Sequence, residues 1–256
     1  MSSRGTGLTL MGIVVAIIGY IMFQSSIGLD TKVDDIQTIL SNSHEHASYL
    51  GIAFLLISVG LIVHLAGMMN TRGTAAGTAE SLGIFCIAAA IFMWVINIGF
   101  GFAAIEMGTK FVEAAAGAQA AAAAATAAAA AGDAATAQAA GAQAQAAAAG
   151  ATGIIIAGGF NQAASVAGNV IGSLLAGIGW LSLGMAYRNS DAKGAISFLP
   201  LGWLAMIAGI ILLVANLVII NVVADGGTEL ASQISGISFI LIVIWSVSRG
   251  LALMKE

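Results

Sequence analysis

The residues of this chain most able to do chemistry are its three histidines and a few polar groups set in apolar surroundings. His44-Glu45-His46 offers two imidazoles and a carboxylate, a donor set that suits zinc or a related divalent metal. Consecutive side chains on a helix point about 100° apart and do not converge on one ion. The run therefore reads as the polar start of an apolar segment. His46 and His64 lie eighteen residues apart, or five helical turns, which puts them on one face about 27 Å apart along a continuous helix. Haem held that way would need a second ligand from another segment. No other segment has a histidine, and methionines more often fill space. Metal or haem binding through His44, His46 and His64 is kept as a third reading.

Pumps and proton-coupled carriers place ionisable groups deep in their apolar segments, where each is costly. Here Glu80 and Glu106 stand at segment edges. Asn97, Asn161, Asn169, Asn216 and Asn221 are the polar residues within or near the segments. Asn97 and Asn216 are the two singled out as intramembrane polar positions. They read first as hydrogen-bonding links between helices, and second as a solute site. Cys86, the single cysteine, sits in an apolar run and reads as a small packing residue. No nucleophile stands beside a base, and no phosphate loop or zinc motif occurs. The expectation is no catalytic residue, no cofactor and no metal, and a chain that is not an enzyme.

The elements that must carry these residues are membrane helices. Charged residues make up 8% of the chain, against about 25% in ordinary proteins, and 59% is hydrophobic. So few charges cannot cover a soluble surface, and long uninterrupted apolar runs fit helices rather than a barrel. Eight Lys and Arg with a net charge of −4 argue against nucleic acid as a partner. After a first apolar run, Leu8 to Phe23, five further runs are each long enough to cross a hydrocarbon core of about 30 Å: Ala47 to Met69, Leu82 to Ile105, Ile154 to Tyr187, Ser197 to Val223, and Ile234 to Met254. The first, after Arg4, is taken as a retained span rather than a cleaved signal. A cytoplasmic N-terminus puts Arg4, Arg72, Arg188, Lys193, Arg249 and Lys255 inside and only Lys32 and Lys110 outside. That bias fits a plasma-membrane protein with both termini cytoplasmic.

Between spans three and four runs Ala114 to Ala151, in which 27 of 38 residues are alanine and Asp133 is the only charge. Alanine is the strongest helix former, Gly132 suits a helix end, and Asp133 suits the start of the next. Span three should continue outward to about Ala131, and a second helix should return from Ala134. Arms 106–131 and 134–152 would rise roughly 39 and 29 Å. Gln119, Thr126 and Asp133 are spaced by sevens, as are Thr136, Gln143 and Gly150, leaving alanine for a seam. A flexible linker or two further spans are the competing readings. In the first loop Val33, Ile36 and Leu40 share a helical face, which suits a short helix along the membrane surface. The third loop, Asp225 to Gln233, reads as a brief turn.

An internal echo runs through the spans. Leu82-Gly83, Ala89, Val95 and Asn97 match Leu201-Gly202, Ala208, Val214 and Asn216 at an offset of 119, and Glu106-x-Gly108-Thr109 matches Asp225-x-Gly227-Thr228. Gly60 and Gly67-Met68 match Gly177 and Gly184-Met185 in the same manner. Three related hairpins would account for this. Small residues recur every four positions at Ala164, Gly168, Gly172 and Ala176, and again at Ala205 and Gly209, a spacing that lets helices touch closely.

The expected architecture is all-α: an integral membrane bundle of six transmembrane helices with a long extracytoplasmic Ala-rich helical hairpin between spans three and four. Its parts are 1–105 (spans one to three), 106–152 (the hairpin) and 153–256 (spans four to six). The expected function is a non-catalytic scaffold or accessory subunit of a larger membrane assembly. It would meet the lipid bilayer on its spans, and other membrane proteins or copies of itself through 106–152. A channel or carrier for a small neutral solute is the alternative.

Overall fold

The computed structural model describes residues 2–75, 77–188, 190–196, 198–223 and 226–256. Ser197, at the head of the fifth expected span, and Asp225, in the third loop and the internal echo, lie outside the described residues. Every regular element among the described residues is helical: α1 (Ser3–Leu10), α2 (Gly12–Ile27), α3 (Ile36–Glu45), α4 (Ala47–Asn70), α5 (Thr78–Ala130), α6 (Ala134–Arg188), α7 (Leu201–Leu213), α8 (Ile220–Val222) and α9 (Gly227–Lys255). A single π-helical stretch, Val214–Ile219, joins α7 to α8. Among the described residues six helical segments are long and apolar enough to cross a membrane: Ser3–Ile27, Ala47–Asn70, Thr78–Ala130, Ala134–Arg188, Leu201–Val222 and Gly227–Lys255.

The helix ends have local causes. Ser2 caps α1, accepting from the Gly5 N–H at 3.2 Å, and Asp35 caps α3 through the Thr38 N–H at 3.1 Å. Pro200, which fixes its own φ and has no N–H to leave unsatisfied, precedes α7. At the far end of α5 the Gly132 N–H bonds Ala129 O and the Asp133 N–H bonds Ala128 O. With Gly132 at φ +78, this is the paired closure that satisfies the last carbonyls of a helix when a residue without a Cβ follows it. Asp133 then starts α6. Two expectations change. The third loop is not a turn through Gln233, because helix resumes at Gly227. Val33 lies outside α3 and is exposed, so it does not share the helical face of Ile36 and Leu40.

The chain forms two compact units. The first comprises Met1–Ile21, Ile52–Ile98 and Val166–Glu256. Its core gathers Leu10, Met68, Ile91, Trp180, Leu183, Leu212 and Trp245, all nearly inaccessible. Trp245 meets Trp180 and Tyr187 edge to face, with centroids 5.2 and 5.4 Å apart. Glycines set the helix separations. Gly12 of α2 opposes Gly60 of α4, and Gly7 of α1 opposes Gly250 of α9. α6 is flanked on two sides: Gly83 of α5 lies against Gly179 and Leu183, whereas Gly202 and Gly209 of α7 lie against Gly177, Leu181, Gly184 and Arg188. Gly83 and Gly202, matched at the 119 offset, therefore both dock on α6. Gly60 and Gly177, the other matched pair, face α2 and α7 respectively. These contacts do not follow a pairing of three equivalent hairpins.

The second unit comprises Met22–Gly51 and Gly99–Ser165. Its small core is Leu40, Phe111 and Ala151, bordered by Ile36, Met107 and Ile154. The short helix α3 is not a lone surface helix: Leu40 is 1% exposed, Gly108 of α5 lies against Leu40 O, and Gly158 of α6 faces Ile36 and Leu40. Asn42 ties α3 to the end of α2 through a 2.7 Å bond to Ile27 O.

Candidate functional site

All but one of the positions expected to pack helices lie in the first unit. Gly172 is buried beneath Trp94 of α5; a Cβ there would stand 2.5 Å from the indole Nε1. Gly168 faces Asn97, whose Oδ1 would lie 3.0 Å from such a Cβ. Ala176 and Ala205 are fully buried, and Gly209 abuts Gly177 and Leu181. Ala164, the first member of the four-residue series, is exposed and belongs to the second unit.

Asn97 and Asn216, matched in sequence, have different partners. Asn97 turns toward Gly168 and its Oδ1 is buried without a hydrogen bond. Asn216 sits in the π-helical stretch and donates to Leu212 O at 2.9 Å and to Ser235 Oγ of α9 at 3.1 Å. The π geometry adds a residue to one turn and re-aims its side chains, so the two positions cannot be equivalent in direction. Asn161 donates to Phe100 O at 2.9 Å and links α6 to α5. Asn221 bonds back to its own helix at Leu217 O.

The histidines are dispersed. His44 Nδ1 pairs with Thr109 Oγ1 at 3.2 Å. His46 is not part of α4; it terminates α3 with φ −106 and ψ 21, so the five-turn spacing to His64 does not run along one helix. His64 is 1% exposed, and its Nδ1 lies 3.0 Å from Leu10 O. That contact makes Nδ1–H the donor and leaves Nε2 a buried acceptor without a partner. Among the described residues no group of three or more His, Cys, Asp or Glu side chains gathers.

Two charged residues matter more than their place in the sequence suggested. Glu80, expected at a span edge, is 1% exposed. Its two oxygens accept from the Gly73 N–H at 2.7 Å and the Ala75 N–H at 2.9 Å, so one carboxylate shapes the turn between α4 and α5. A Glu three residues past Gly77 was the available signal, since that position reaches back over a helix start. Arg249 was counted only for orientation, yet it is 5% exposed. It lies on the stripe Ala231, Ser235, Ser238, Ile242, Trp245, Arg249, Leu253 of α9, all buried. These steps of three and four were legible in the sequence.

The alanine arms carry a second pattern. The less exposed alanines of the α5 arm include Ala114, Ala118, Ala121, Ala125 and Ala128; those of the α6 arm include Ala137, Ala140, Ala144, Ala147 and Ala151. Steps alternate between three and four in both, and each arm's set follows one face. Gln119, Thr126, Gln143 and Gly150 are exposed. At the start of α6 the Thr136 hydroxyl donates to Asp133 Oδ2 at 2.6 Å and the Thr136 N–H to Oδ1 at 3.0 Å. These bonds, the hydroxyl's first, hold the Asp133 carboxyl below the usual aspartate range. Compared with protein-family models, with curated proteins and with solved structures, the chain matches none of them.

Proposed function

We propose that this protein is a non-catalytic multi-pass membrane protein, a scaffold or accessory subunit that joins a larger membrane assembly through residues 106–152. In this reading the six apolar helices span a plasma membrane. Both termini lie in the cytoplasm, following the Lys/Arg bias. The two alanine arms stand outside as an antiparallel hairpin. The observation that carries the reading is the 3-4 spacing of the covered alanines on both arms. Alanine allows close approach of two helices but buries little apolar area per residue. An alanine hairpin of this length is marginal by itself and gains most from a further partner. The same spacing repeats every seven residues, which suits association with a further helix.

The test is purification of the full chain from its native membranes in mild detergent, with a photo-reactive residue at Gln119 or Gln143. Crosslinks to one defined membrane protein, or to a second copy, support the reading. A solitary monomer without crosslinks overturns it. Replacing 114–151 with a short turn should abolish co-purification of the same partner, or of the second copy, while the remaining helices still insert.

A further inference from the structure

In the first unit, the N-terminal turns of α1, the residues after α4 and the end of α9 border an open cavity of about 250 Å³. Arg249, Glu256, Ser3, Thr6, Thr71 and Thr74 contribute to its lining. We infer that this cavity binds a phosphate group, with the Arg249 guanidinium as its principal ligand. The inference goes beyond the scaffold reading and does not depend on it.

Arg249 is the reason. A guanidinium carries five N–H donors and cannot discharge itself by losing a proton. Taking one out of water is costly unless its donors are used. Here Nη1 donates to Lys193 O at 3.0 Å and reaches Glu256 Oε1 at 3.4 Å, while Nε is buried with no partner. The arginine is 5% exposed. Its coordination by protein atoms is thus incomplete, and the residue contributes to the cavity wall.

Glu256 is a loosely held stand-in for the anion. Its separation from Arg249, 3.4 Å, exceeds the 2.7–2.9 Å of a strong charge-assisted bond. Its side chain is 56% exposed, so it can turn out to water when a better acceptor enters. A phosphate offers several oxygens at tetrahedral angles, which can take the guanidinium edge and neighbouring hydroxyls together. Those hydroxyls are present. Thr6 Oγ1 donates to Ser2 O at a long 3.3 Å, and Thr71 Oγ1 donates to Met68 O at 2.7 Å. Each can rotate toward an incoming oxygen. Ser3 is the first residue of α1, where free N–H groups and the positive end of the helix dipole add to the attraction. The phosphate can be that of a lipid headgroup or of a free phosphate ion.

The experiment uses the full chain in a neutral detergent, with thermal unfolding followed as either inorganic phosphate or a short-chain phosphatidylglycerol is added. Sodium chloride at equal ionic strength is the control. A saturable rise in the unfolding midpoint with either probe, absent with chloride, is expected. A rise with the lipid that phosphate does not compete away identifies a headgroup site; a rise with phosphate that displaces the lipid identifies a free-ion site. Glu256→Gln should tighten binding several-fold, because the tethered competitor loses its charge. Arg249→Lys should weaken it at least tenfold. Should Arg249→Lys fail to fold, Thr6→Val, which removes one hydroxyl from the wall, should still weaken binding measurably. No midpoint shift with either probe, or a Glu256→Gln variant that binds no tighter than the native chain, overturns the inference.

Discussion

Replacing Gly209 by alanine is the sharpest probe of how the first unit is held together. A Cβ at Gly209 would stand 2.7 Å from Gly177 O and 2.9 Å from Leu181 Cα, and would also press on Leu181 N. All three are backbone atoms of α6 and cannot rotate away. Ordinary contact is 3.4–4 Å, so α7 must retreat by roughly 1 Å and loosen neighbouring contacts. Overpacking of this kind costs about 1–3 kcal/mol, and the backbone wall places Gly209 toward the upper end. Alanine's greater helix propensity returns about 1 kcal/mol. The net loss is about 1–2 kcal/mol, or a factor of about 5–30 in the folding equilibrium. Gly150→Ala is the matched comparison. Nothing lies within 4 Å of its would-be Cβ, so only the propensity gain of about 1 kcal/mol remains. Gly168→Ala falls between, because its nearest neighbour is Asn97 Oδ1 at 3.0 Å, the end of a side chain. Reversible unfolding in mild detergent titrated with dodecyl sulfate would rank the three. Should Gly209→Ala prove as stable as Gly150→Ala, the backbone-contact account of this seam is wrong.

Glu80→Ala should destabilise the chain by about 1–3 kcal/mol, since it strips the acceptor from two amides; hydrogen exchange at Gly73 and Ala75 should speed up, and unchanged exchange would exclude this role. Ser235→Ala should cost only about 0.6 kcal/mol, a typical interhelical hydrogen bond in a membrane bundle. Asn216 keeps its bond to Leu212 O, and a loss above 2 kcal/mol would mean the residue does something more. Asp133 has a lowered folded-state pKa, so its cap is fully formed above the unfolded aspartate value and is lost as pH falls through the folded one. Protection factors at residues 135–137, referred to the slower intrinsic exchange of an unfolded chain in acid, should therefore fall as pH is lowered, whereas Asp133→Asn, a cap without a charge, should flatten that dependence; equal acid sensitivity in both would refute it.

Much of the secondary structure was legible because its causes are local. Ala131-Gly132-Asp133 interrupts the alanine tract by the geometry of one glycine and one capping carboxylate. Apolar length alone marks the six membrane-competent helices. Less was legible where neighbours decide. The Asn97–Asn216 match is a real likeness of sequence, but a π-helical turn at 214–219 sends one toward α9 while the other faces α6. His46 and His64 were five turns apart only on the assumption of one helix, and His46 ends another. Arg249 counted as a topological charge until the burial of its stripe on α9 showed it confined.

Composition, apolar length and the glycine and aspartate breaks are carried by residues close in sequence, so the chain's helical, membrane-competent character follows from the sequence alone. The partners of small and polar residues do not follow, because a glycine every few residues permits close approach on any side. Only the tertiary structure decided that α6 takes α5 on one face and α7 on another, that Glu80 folds a turn around itself, and that Arg249 is buried with a donor unused. Each depends on which distant backbone arrives within a few ångströms, and that is set by packing of the whole unit rather than by any local pattern.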